Sequence, residues 1–326
     1  MRPLLAIFFL CVLVVAPSVD ASADAPDRTG SIGIRLVDIP AAAQDDPRAR
    51  AYVVDHLTPG TTIQRRVEVS NDTGVDQVVH VYAGAADIRA GVFVGRDGDA
   101  ASDLTSWTSV ADPALRLAPG EAVQTLVTVT IPDDASEGEH YGAIWAEVRN
   151  AATSETAVVT ASRVGVRMYL SVGAGGAPAS DFEIDTIAAT REGDEAPVVI
   201  ATVTNTGGRA LDLSGVLRLE NGPSSLAAGP FDAAGVTTLA PGKSGDLVVP
   251  LSGDLPEGPW TAVLEVRSGT LSREARATVT FPDEGTAVSK VDGPAPNILL
   301  PAAVGIVLIL LISGVAWLLR RRHDVR

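Results

Sequence analysis

A chain of 326 residues has the length of roughly two domains, and its formal net charge of −15 sets it among strongly acidic proteins. That charge excludes nucleic acid or anionic lipid as a partner held by bulk electrostatics. The single cysteine, Cys11, excludes an internal disulfide.

Residues 1–23 read as a secretory signal peptide. Arg2 precedes an apolar run over 4–16, and Ala21-Ser22-Ala23 suits cleavage before Asp24. Cleavage removes Cys11. Taking this neutral leader and a +3 tail (320–326) away from −15 leaves −18 for residues 24–297. Arginine supplies every basic residue except Lys243 and Lys290, a bias typical of high-GC bacterial genomes.

From residue 31 onward the pattern is strands with almost no helical period. In "RRVEVSN", Val67 and Val69 alternate with Arg66, Glu68 and Ser70. In "VQTLVTVTI", Val123, Thr125, Val127, Val129 and Ile131 share one face. Turn residues punctuate these runs: Pro59-Gly60, Asp72-Thr73-Gly74, Pro119-Gly120, Asn205-Thr206-Gly207-Gly208 and Pro241-Gly242. Short strands separated by such turns predict β-sandwiches. "NDT" at Asn71 fits a glycosylation sequon, but a tight turn is the better reading of that site.

One phrase occurs twice. "LAPGEAVQTLVTVTIPDDASEGEHYGAIWAEVR" starts at Leu117, and "LAPGKSGDLVVPLSGDLPEGPWTAVLEVR" starts at Leu239. A partial copy, "LTPGTTIQRRVEV", starts at Leu57. The repeat reads as one structural unit. A leucine enters the core, a Pro-Gly turn starts an alternating strand, and Pro132 or Pro256 ends it. A Glu-Gly turn then opens a strand carrying Trp145 or Trp260. The fold class expected is all-β: two immunoglobulin-like β-sandwiches over 31–172 and 181–282, joined by the linker "GAGGAPAS" at 173–180. A polar stalk (283–297) leads to an uncharged run at 298–319, about 33 Å long as a helix and sufficient to span a bilayer. The arginines that follow place the tail (320–326) in the cytoplasm and the rest outside.

Residues that could carry chemistry are few. His56, His80 and His140 lack the spacing of a helical zinc site, and there is no nucleophile elbow or P-loop. No catalytic residue, cofactor or enzyme activity is expected. Asp97, Asp99 and Asp103 in "GRDGDAASD" alternate in the manner of calcium ligands, but Ala101 stands where a third ligand belongs, so a solvated turn fits better. Trp107, Trp145 and Trp260 read as core residues. Tyr141 and Trp145 lie on the strand face opposite Ile144, Ala146 and Val148, which makes them the candidate ligand contacts, with a sugar as the ligand.

Tyr52 before Pro59-Gly60, the strand ending at Asn71, the Leu117 turn, Pro132 and "EGEHYGAIWAEV" follow one another as in a known family. In this order the first module resembles the peptidoglycan-binding domain of the WxL-interacting proteins of Gram-positive bacteria, here of an actinobacterial type. The second module stands where that family has another immunoglobulin-like domain. The resemblance implies a membrane-tethered, non-catalytic surface protein that contacts peptidoglycan or other cell-surface proteins. The alternative is a chaperone-like or structural subunit that pairs an edge strand with a partner polypeptide.

Overall fold

The computed structural model describes residues 30–98, 100–149, 161–191, 195–253, 255–281 and 285–291. The expected signal peptide (1–23), the apolar run at 298–319 and the tail lie outside them. Among the described residues, no helix is long and apolar enough to cross a membrane.

The described residues are all-β, with two short α-helices. In order it forms β1 (Ile32–Leu36), α1 (Pro47–Ala51), β2 (Val53–Leu57), β3 (Thr62–Asn71), β4 (Gln77–Arg89), β5 (Val92–Gly95) and α2 (Asp103–Ser106). It continues with β6 (Thr108–Val110), β7 (Ala114–Leu117), β8 (Ala122–Thr130), β9 (Gly138–Arg149) and β10 (Ala161–Val172). Then come β11 (Phe182–Arg191), β12 (Val198–Asn205), β13 (Leu211–Glu220), β14 (Ala228–Asp232) and β15 (Thr237–Leu239). Last are β16 (Ser244–Pro250), β17 (Trp260–Ser268), β18 (Leu271–Val279) and β19 (Gly285–Lys290).

Four sheets result. The first pair has strand orders β1-β3-β8-β6 and β2-β10-β9-β4-β5, with β7 also on β4. Inward residues of both sheets, among them Val67, Val69, Val127, Val129, Ile144, Val166, Met168 and Leu170, fill one core. The second pair has orders β16-β12-β11-β19 and β14-β13-β17-β18, with β15 also on β13. Its core holds Phe182, Leu211, Leu247, Trp260, Leu264 and Phe281. Gly285–Lys290, expected in the stalk, is instead β19, hydrogen-bonded along β11.

The repeated phrase is one hydrogen-bonding device used three times. After each buried leucine (Leu57, Leu117, Leu239) comes a Pro-Gly turn with glycine at φ +80, +77 or +69, a conformation that side chains with a Cβ rarely adopt. The glycine N–H donates to a carbonyl at the end of a neighbouring strand or just past it: Gly60 to Ile131, Gly120 to Asn71 and Gly242 to Asn205. That residue's own N–H donates back to the carbonyl just beyond the glycine, at Thr61, Glu121 and Lys243. In two copies the clamped residue is a buried asparagine. Asn71 Nδ2 donates to the Val75 and Leu117 carbonyls, and Asn205 Nδ2 to those of Arg209 and Leu239. Each side-chain oxygen accepts an N–H two residues on, from Thr73 or Gly207. Asn71 has no exposed surface, so the sequon is closed to a glycan in the folded chain.

The two copies differ where the repeat looks most alike. Counted back from the shared Glu-Val-Arg, Trp145 lies four residues before Arg149 and Trp260 seven before Arg267, which puts them on opposite faces. Trp260 is core, whereas Trp145 faces outward. The second copy's strand also ends at Pro250, earlier than the expected Pro256.

Candidate functional site

The strand β10 is the centre of the site. It pairs antiparallel with β9 along its whole length. On its other side, β2 runs parallel to it only from Met168 to Val172. Asp46 caps α1 by accepting the Arg48 N–H, and Pro47 opens the helix, so the chain joins β10 only after α1 ends. Among the described residues, no strand covers the second edge of β10 over 161–167.

Even-numbered residues of β10 point inward: Val166, Met168 and Leu170 belong to the core. Val164 shares that face, yet it is 36% exposed. It lines a groove of about 440 Å³ with Ile32 of β1 and Val148 of β9. The rest of the lining is Gly30, Ser31, Thr73, Gln77, Ser162 and Arg163. Among the described residues, β1 packs beside β10 at this seam without pairing to it. An inward-facing valine lacks apolar cover beside a stretch of unpaired strand edge.

Odd-numbered residues of β9 and β10 face outward and divide into two zones. In the first, Trp145 lies flat on three glycines. A Cβ at Gly84, Gly95 or Gly165 would come within 2.6, 2.3 or 2.5 Å of the indole, so only glycine leaves room for the ring. The Arg163 guanidinium covers the indole at 4.5 Å from the ring centroid. It also donates to the Arg96 and Gly98 carbonyls. Nearby, Glu147 is buried and accepts the Tyr82 hydroxyl and Arg149. Those bonds hold its carboxyl below the usual glutamate range.

In the second zone, the same face is covered by the second sandwich. Ala86, Phe93, Ala143 and Tyr169 pack with Ala210 from the far side, alongside Tyr52, Tyr141 and Trp145. At the centre is Asp212 of β13. It accepts from Arg48 Nε at 2.9 Å, the Tyr169 hydroxyl at 2.9 Å, Thr238 Oγ1 at 2.9 Å and Arg167 Nη1 at 3.3 Å. Burial, then the Asp212 charge, pushes the Tyr169 hydroxyl well above its ordinary pKa. Glu139 accepts the Ala210 N–H across the joint, and burial raises its carboxyl pKa. The Thr238 N–H donates to the Gly91 carbonyl at 2.7 Å. This joint of ion pairs and backbone bonds links the two sandwiches.

The predicted site residues separate on this map. Tyr141 lies at the joint, edge-on to Tyr169 at 6.0 Å between centroids. Trp145 lies in its glycine slot with Arg163 over its face, so the two do not form one open platform. Asp103 starts α2 behind its Ser102 cap, Asp97 is exposed, and Asp99 lies outside the described residues. Among the described residues, no three His, Cys, Asp or Glu side chains cluster as metal ligands. His140 lies in β9, its ring tilted 59° against that of Trp107 at 4.8 Å between centroids. The open edge and the joint were missed. The alternation Val164, Val166, Met168 was the available signal for β10, but nothing local marks which strand lacks a neighbour.

No family model and no curated protein match this sequence. Solved structures similar in part include the class 5 fimbriae chaperone CfaA, at 11% identity and TM-score 0.34, covering 81% of this chain and 100% of that one. The Salmonella enterica SafA pilin–SafB chaperone complex matches at 13% identity and TM-score 0.41, covering 75% and 95%. The E. coli chaperone DraB matches at 12% and 0.40, covering 76% and 98%.

Proposed function

We propose that this protein is a non-catalytic binding protein of the cell surface, tethered by its C-terminal apolar segment, that holds a partner polypeptide by adding a strand to β10. The observation that carries the reading is the coincidence of an uncovered backbone edge with an exposed, inward-facing Val164. A strand added there would satisfy the free edge groups of β10 and place alternate side chains over Val164, Ile32 and Val148. The joint favours the same role. It fixes the outer face of the sheet that carries β10 against the second sandwich, so the edge is presented by a stiff support. A sugar ligand at Trp145 fits less well, because Arg163 occupies the face on which a sugar ring would stack.

The test uses the full-length protein in detergent and a nine-residue peptide alternating valine and glutamine. The peptide should bind, and Val164→Asp should weaken binding at least about tenfold, because it sets a charge on the apolar seat. The exposure of Val164 lets the variant fold. Equal binding by the variant, or sedimentation of the protein with purified peptidoglycan while it ignores the peptide, would overturn the reading.

A further inference from the structure

We infer that the segment seated on β10 is an extended run of about seven residues from another chain, with apolar side chains facing inward and a carboxylate opposite Arg163. The inference rests on the strand-addition reading and specifies its partner. Length follows from the boundaries. The free edge runs from Ala161 to Arg167 and stops where Val53 of β2 pairs with Met168. At about 3.3 Å per residue this is roughly 23 Å of strand.

The inward pattern follows from the groove, whose apolar wall is Ile32, Val148 and Val164. The outward pattern follows from charge. Among the described residues, Arg163 is the only charged one lining the groove, in a protein whose net charge is −15. Its hydrogen bonds run to the backbone carbonyls of Arg96 and Gly98, and no carboxylate among the described residues lies within ion-pair distance of it. Two acids, Asp97 and Glu147, share a shallow depression with it. Glu147 is hydrogen-bonded to Tyr82 and Arg149 and feels the Arg163 charge without forming an ion pair with it, and Asp97 is exposed to solvent. Arg167, the other outward arginine of the edge, is paired with Asp212. A residue of an added strand directly across from Arg163 would have its Cβ about 5 Å away on the same face, the distance at which opposite charges on neighbouring strands attract. Charge also decides against a second copy of this chain. Antiparallel pairing of two β10 edges about Val164 would set the two Arg163 side chains diagonally across the twofold axis, where they repel.

The experiment compares three nine-residue peptides on the full-length protein. Each has valine at alternate positions, with glutamate, glutamine or lysine between. The glutamate peptide should bind about tenfold tighter than the glutamine peptide at low salt, and the lysine peptide weakest, with the differences shrinking as salt rises. Arg163→Gln should erase the glutamate preference while leaving the glutamine peptide bound, which also shows that the variant is folded. Equal binding of the glutamate and glutamine peptides would refute the carboxylate while leaving strand addition intact. Failure of all three would refute strand addition itself. A change in oligomeric state without peptide binding would point to self-pairing and overturn the inference.

Discussion

Replacing Asp212 by alanine should destabilise the protein by about 3–5 kcal/mol, the cost of leaving a buried ionic partner without its counter-charge. Asp212 accepts four side-chain hydrogen bonds, and its main donor, Arg48, is itself buried. Among the described residues Arg48 Nη2 has no hydrogen-bond partner, so none of them stands ready as a second acceptor for the charge. The Tyr169 and Thr238 hydroxyls lose their acceptor at the same time. Asp212→Asn keeps a carbonyl oxygen for Tyr169 and Thr238 but loses the charge, so a smaller loss should follow. Urea denaturation of the full-length protein measures both. Because three of the four lost bonds join the two sandwiches, Asp212→Ala should also split unfolding into two transitions. An unchanged midpoint for Asp212→Ala would show that the joint contributes little to stability.

The second large effect should come from Asn205→Ala, at about 2–4 kcal/mol, with Asn71→Ala close behind. The Asn205 amide is fully buried and bridges three backbone groups, at Gly207, Arg209 and Leu239. Alanine takes away the donor to the Arg209 and Leu239 carbonyls, whereas the Gly207 N–H keeps its bond to the Asp181 carbonyl. Aspartate, although nearly the same shape, should do no better, because it turns lone pairs toward two carbonyl oxygens. Thermal melts of the four variants test this. Survival of both alanine variants with wild-type midpoints would refute the clamp as a source of stability. Asn205 also holds the turn that carries Arg209 and Ala210 to the joint, so its loss should loosen the contact between Ala210 and Glu139.

Local chemistry was legible in the sequence, and pairing was not. Alternation at Val67 and Val69 and the Pro-Gly turns gave the strands, because side-chain period and φ preference act within a few residues. The three-fold phrase announced a shared device, and the buried leucines sit where the phrase put them. The asparagines were read only as turn residues, since their carbonyl acceptors at Leu117 and Leu239 lie far along the chain. Trp145 and Trp260 looked equivalent because the repeat was aligned by composition. A shift in spacing reversed the face. Tyr141 and Tyr169 lie on a face that reads as surface until another sandwich covers it. The vacant edge of β10 is the least legible feature, because it is defined by a strand that stops pairing at Val53.

Hydrogen exchange along β10 tests strand addition most directly. Amides that hydrogen-bond only to water exchange quickly, whereas those recruited into a new ladder are protected. The full-length protein should show rapid exchange at the outward-directed amides of residues 161–167. Saturation with the alternating valine–glutamate peptide should slow that exchange at least about tenfold. Protection at 161–167 with little change along β18 and β19, two edge strands of the second sandwich, is the predicted result. Bound peptide with no protection at 161–167, or with protection confined to β18 or β19, would contradict it.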